Sequence, residues 1–151
     1  MGCLQDSIEA IGRYWMPDDT FAVLKRMRGT DGFLDDFSIA YIECAFWSSM
    51  TQGGEPLDEA HDASDLAPGT LETMLRDCDR FLATDAVKAA VKSAKWNPSR
   101  AGHDFWLTRG GHGAGFWDGD CPEPHATALT EASKAFGECD LCVGDDGRIY
   151  A

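Results

Sequence analysis

Basic residues are scarce in this chain: 13 Lys and Arg stand against 26 Asp and Glu, a formal net charge of −13 at pH 7 over 151 residues. The acidity is spread almost evenly over the three thirds of the sequence, so it is not an acidic tail. A field of this sign repels phosphates and argues against direct binding of DNA or RNA. It favours solubility, and it suits a partner with a basic surface. Long apolar runs are missing as well. No stretch of about 18 apolar residues occurs, so no membrane span is expected. The first residues lack the basic and apolar blocks of a secretory signal. Met1-Gly2-Cys3 begins like an acylation motif, but Asp6 stands where myristoylation needs Ser or Thr.

Catalytic signatures are equally absent. The chain holds no Gly-x-Ser-x-Gly, P-loop, HExxH or dinucleotide fingerprint. No catalytic residue and no cofactor is assigned from the sequence, and a non-enzymatic role is favoured. There is no internal repeat, low-complexity segment or linker, so a single domain over residues 1–151 is expected, with residues 1–30 a helical N-terminal part. The 44% of hydrophobic residues, with Phe 8 and Trp 5 among them, suffice for a sizeable core.

Six cysteines, at 3, 44, 78, 121, 139 and 142, are scattered and read as reduced thiols, Cys44 and Cys78 on apolar helix faces. Cys139 and Cys142 have metal-ligand spacing, but a zinc site usually needs a second pair. Only Cys121 and His125 lie near enough in sequence to help, so no metal is assigned there.

Leu4, Ile8, Ile11 and Trp15 recur at helical spacing before Pro17. Asp18 or Asp19 can cap a second helix, with Phe21, Leu24 and Met27 inward and Gly29 as its stop. Lys25, Arg26 and Arg28 in its last turn read as the only basic cluster, placed where the helix dipole favours cations. Phe37 to Trp47 is apolar nearly all round and reads as a central helix, with Phe37, Ala40, Tyr41, Cys44 and Trp47 on one side. Thr51 to Ala63 reads as a loop. A long helix is expected from Pro68, through Leu71, Met74, Leu75, Cys78, Phe81 and Leu82, to about Trp96, with a break near Thr84-Asp85 and an end at Pro98. Leu129, Ala132, Ser133 and Phe136 mark a last helix stopped by Gly137. Leu141 and Val143, then Gly144-Asp145-Asp146-Gly147, then Ile149 and Tyr150, read as a short terminal hairpin.

The segment from Ala101 to Asp120 is nearly symmetric, with His103-Asp104-Phe105-Trp106 facing Phe116-Trp117-Asp118 across a glycine-rich centre. It reads as a β-hairpin over about 103–118, with Asp104 opposite Asp118, Phe105 opposite Trp117, Trp106 opposite Phe116, and Gly110, Gly111 and His112 as the loop. The expected fold is therefore α+β: several helices packed on a small antiparallel sheet that contains this hairpin.

Three uses of the hairpin compete. As a contact surface it would present Trp106, Arg109, His112, Phe116 and Trp117, residue types that dominate binding hot spots. Arg109 and His112 beside glycine N–H groups would suit an anionic substrate of a small hydrolase or transferase. Asp104, Asp118 and Asp120, with His103 assisting, form a weak candidate for a hard cation in a metal-stabilised accessory protein. Turn capping by these Asp side chains explains them more simply.

The string GHDFWLTRGGHGAGFWD resembles a family of small uncharacterised proteins of bacteriophages and other bacterial mobile elements. The likeness extends to YIECAFWSS, DLAP and VGDDGRIY, and so covers most of the chain from about Phe37. It implies a mobile-element origin and a place in the cytoplasm of a bacterial host, and it brings no catalytic residues. With the charge and the missing signatures, it leads to the expected function. This is a protein that binds and inhibits or modulates a bacterial protein machine with a basic surface, of which an anti-CRISPR or anti-restriction role is the sharpest version.

Overall fold

The structure, a computed structural model, describes residues 16–29, 34–111, 113–118 and 121–151. Among them run seven α-helices: α1 Asp18–Arg28, α2 Asp36–Ser48, α3 Leu57–Ala60, α4 Pro68–Leu82, α5 Asp85–Ala90, α6 Pro98–Gly110 and α7 His125–Lys134. Two short strands follow, β1 Cys142–Val143 and β2 Ile149–Tyr150, antiparallel with Cys142 opposite Tyr150. The fold is α+β with helices dominant. The expected helix over Leu4 to Trp15 lies outside the described residues.

Most boundaries follow local chemistry. Asp35 caps α2 by accepting from the Ser38 N–H. Pro68 sits in the first turn of α4, where its missing N–H costs nothing. The Thr84 hydroxyl caps α5, so the break expected near Thr84-Asp85 is there. The helical spacing of Val87, Val91 and Ala94 does not carry to Trp96, however: α5 ends at Ala90 and turns follow. The expected loop from Thr51 to Ala63 contains α3, and a 3-10 turn over Ala63–Asp65 follows it, closed by a reciprocal Asp62–Asp65 capping box. The terminal hairpin is β1–β2, and Ile149 also takes the Ala67 N–H on its carbonyl, tying the chain end to the start of α4.

The expected hairpin over 103–118 is not formed. Residues 98–110 are α6, and the sheet holds only β1 and β2. Two features favour the helix. Asn97 caps it through the Arg100 N–H, and Pro98 occupies its first turn, so this proline opens a helix as well as closing the preceding segment. Ala101, Gly102, Phe105, Trp106 and Arg109 then fall on one buried face at helical spacing. Gly111, at φ +67°, is the left-handed residue that stops α6, not a hairpin tip.

The core is built on α2 against α6. Tyr41, Phe105 and Trp106 have no exposed surface; complete burial of one such ring is worth about 1.5–3 kcal/mol. The Phe81 and Phe105 rings stack at 4.1 Å, and Tyr41 meets Trp106 edge-on at 5.4 Å. α2 and α6 approach closely at Gly102, where a Cβ would overlap the Phe37 carbonyl oxygen. α1 is held by the Thr20 hydroxyl, which donates to the buried Leu66 carbonyl, and by ion pairs from its last turn. There Arg26 meets Glu72, and Arg28 meets Asp79 and Asp35. Two of the three cations in that expected cluster are thus consumed in docking the helix.

Gly102→Ala will test the crossing. In an unobstructed helix the change stabilises by roughly 0.5–1 kcal/mol; overpacking against a backbone carbonyl costs about 1–3 kcal/mol. The expected outcome is a lower melting temperature for Gly102→Ala and none for Gly69→Ala, whose Cβ would meet nothing. Equal behaviour of the two variants would remove the close approach as a constraint.

Candidate functional site

The five residues expected on a hairpin surface are dispersed. Trp106 is fully buried, its indole N–H donating to the Ser48 hydroxyl at 2.8 Å. Phe116 is buried too, so neither ring is a contact surface. Trp117 is 48% exposed, and His112 lies outside the described residues. Arg109 is not at a loop tip awaiting an anion. It is 6% exposed and fully engaged. Its guanidinium donates to Tyr41 Oη at 2.9 Å, Asp77 Oδ2 at 2.8 Å, and the carbonyls of Phe136 and Gly137 at 3.1 and 3.0 Å. It also lies over the Phe105 and Phe136 rings. The reason is helical phase: in α6, Trp106 and Arg109 follow Phe105 around the inward face, whereas a strand would have alternated them.

The candidate carboxylates fare differently. Asp118 binds the Gly115 N–H and caps a turn, as the simpler reading has it. Asp104 and Asp118 are still close enough to repel. Burial and then the Asp118 charge push the Asp104 carboxyl up to about 6, with Arg100 opposing. Asp120 lies outside the described residues, and among those described no group of three or more His, Cys, Asp or Glu is placed to hold a metal ion. The five described cysteines are free, and burial raises the thiols of Cys44, Cys78, Cys121 and Cys139 away from thiolate chemistry.

A broader feature lies on the other side of Asp104. A groove of about 1050 Å³ runs between α2, the α3 to 3-10 segment and α6. Glu43, Asp58, Asp62 and Asp104 bring four carboxyls to it, against a single guanidinium from Arg100. His61, paired with Asp65 at 3.0 Å, Ser99 and His103 add to its polar lining. Burial lowers the His103 pKa, with Glu43 opposing, which favours a neutral imidazole. The ring of His103 packs beside that of Trp47, centroids 5.6 Å apart. Trp47 is 61% exposed, the most exposed of the large hydrophobic side chains described. An aromatic face beside several carboxylates binds a cation twice over, through the ring quadrupole and through charge.

Sequence reasoning placed Trp47 on the inward side of α2 and passed over Glu43. The available signal was their spacing: Glu43 is the only charged residue between Phe37 and Trp47, and Trp47 follows four positions later on the same helix face. Asp58, His61 and Asp62 were hidden by the reading of 51–63 as an undifferentiated loop. Comparison of the chain with protein-family models, with curated proteins and with solved structures gave no match.

Two outcomes are expected. Arg109→Met strands Asp77 and several buried oxygens, and loss of one partner of a buried pair costs about 3–5 kcal/mol; the urea midpoint should fall accordingly, and an unmoved midpoint refutes the network. Asp104 has its folded pKa raised to about 6 from the ordinary 3.8, so its ionised form opposes folding. That penalty is absent below the unfolded value and grows as pH rises through the window between the two. Asp104→Asn should therefore raise the melting temperature at about pH 7.5, and the gain should shrink as pH falls through 6. A gain independent of pH would rule out titration of Asp104 as its origin.

Proposed function

We propose that this protein is a non-enzymatic binding protein that inhibits or modulates a bacterial protein machine, docking a basic segment of its partner in the groove beside Trp47. The observation that carries the reading is the exposed Trp47 ring at a groove with four carboxyls and one guanidinium. The excess acidity of the whole chain steers a basic partner toward it. Basic surfaces of that kind belong above all to nucleic-acid-handling and defence complexes. An acidic protein that occupies such a surface displaces nucleic acid from it, which is inhibition of the anti-CRISPR or anti-restriction type. The resemblance of the 102–118 segment to mobile-element proteins points the same way.

The reading is tested with a fluorescent oligo-arginine peptide, followed by anisotropy at low and moderate salt. Binding should weaken with salt. It should fall at least about tenfold in Trp47→Ala with Glu43→Gln, which removes a cation–π contact of about 1 kcal/mol and one charge-assisted hydrogen bond. Asp145→Asn, outside the groove, should change it little. Equal losses from both variants would reduce the effect to net charge and sink the groove. A pull-down from bacterial lysate with the wild type and the Trp47→Ala/Glu43→Gln variant then identifies the partner that depends on these residues.

A further inference from the structure

Most of α2 is buried, and its exposed residues are Asp36, Glu43 and Trp47. They recur seven and four positions apart, so they share one face of the helix. Glu43 and Trp47 both line the groove, and residues spaced as they are carry their Cβ atoms about 5–6 Å apart. His103 joins them from α6. Its ring packs beside that of Trp47, and the Glu43 charge acts on it while burial favours its neutral form. Glu43 has no ion-pair partner among the described residues. Arg100 and Asp104 are shared between this groove and a second cavity, of about 350 Å³, that opens between Trp96, Phe116 and His125. The cluster of Trp47, Glu43 and His103 is complete without them.

We infer that this cluster receives one arginine side chain, and that Trp47 and Glu43 select arginine over lysine in the basic segment of a partner. The inference rests on the groove reading above and adds to it the side chain that is recognised. Arginine and lysine carry the same charge but differ in shape and hydration. A guanidinium is flat and weakly hydrated. It can lie with one face on an indole while its N–H edge meets a carboxylate in its own plane. An ammonium is a compact, strongly hydrated point charge and gains less from the breadth of the ring. The indole of Trp47 supplies the platform and Glu43, one turn away on the same face, supplies the acceptor. A neutral His103 beside the indole brings no positive charge to compete with the guest. Asp58 and Asp62 line the groove from α3 and the segment after it. They attract flanking basic side chains of either kind by charge.

The experiment compares two fluorescent peptides, an oligolysine and the same peptide with one arginine at its centre, by anisotropy against the full chain. The arginine peptide should bind the wild type about tenfold more tightly, as one added charge-assisted hydrogen bond predicts. The preference should shrink to about twofold or less in Trp47→Ala and in Glu43→Gln, and Trp47→Phe, which keeps a ring, should retain part of it. Both positions are exposed, so the variants should melt like the wild type. Equal affinity of the two peptides for the wild type, with both weakened by Trp47→Ala, would overturn arginine selection and leave the groove standing. Binding of neither peptide would remove the groove as well. A preference for arginine that persists in Trp47→Ala would overturn the inference by placing the selectivity elsewhere.

Discussion

A single buried guanidinium organises this molecule. Arg109 reaches from the last turn of α6 to Tyr41 on α2, Asp77 on α4 and the two carbonyls that follow α7. A charge so placed cannot be left unpaired, and a hydrophobic group of similar volume would often stabilise a core as well or better. Its contribution is thus one of selection among packings. The rotation and axial position of α6 bring the guanidinium to all of those acceptors together. That setting of α6 fixes where Arg100, His103 and Asp104 emerge, and these three residues line the surface features from which function is argued.

The elements whose local signals agreed were legible in the sequence. The α4 periodicity, its break at Thr84, the apolar helix from Phe37 and the terminal hairpin around Gly144 to Gly147 needed no tertiary information. The segment after Pro98 was misread because two signals competed. The near-mirror of His103–Trp106 and Phe116–Asp118 suggested cross-strand pairs, while the spacing of Ala101, Phe105, Trp106 and Arg109 suggested a helix. Asn97 before Pro98 should have decided it, since an Asn cap followed by a first-turn proline is a helix opening. The site was less legible than the fold. Arg109 drew attention as a free cation, although its partner Asp77 lies on a different helix and could not be paired with it by spacing. Trp47 was counted as core because α2 is apolar on every side, and no pattern within a helix tells which end of it protrudes.

The two surface features share Arg100 and Asp104. On one side of α6 an acidic groove meets solvent beside an exposed indole. On the other, a small cavity opens between Trp96, Phe116 and His125. Asp104 lines both, so its ionisation adds negative charge to both.

The glycine at the α2–α6 crossing carries a further meaning for the groove. Both long walls of the groove hang from that crossing, because Ala40, Glu43 and Trp47 ride on α2 while Ser99, His103 and Asp104 ride on α6. The helices approach so closely there that a Cβ on Gly102 would overlap the Phe37 carbonyl oxygen. The calibre of the groove, and hence the girth of whatever it admits, is gauged by that one missing methyl.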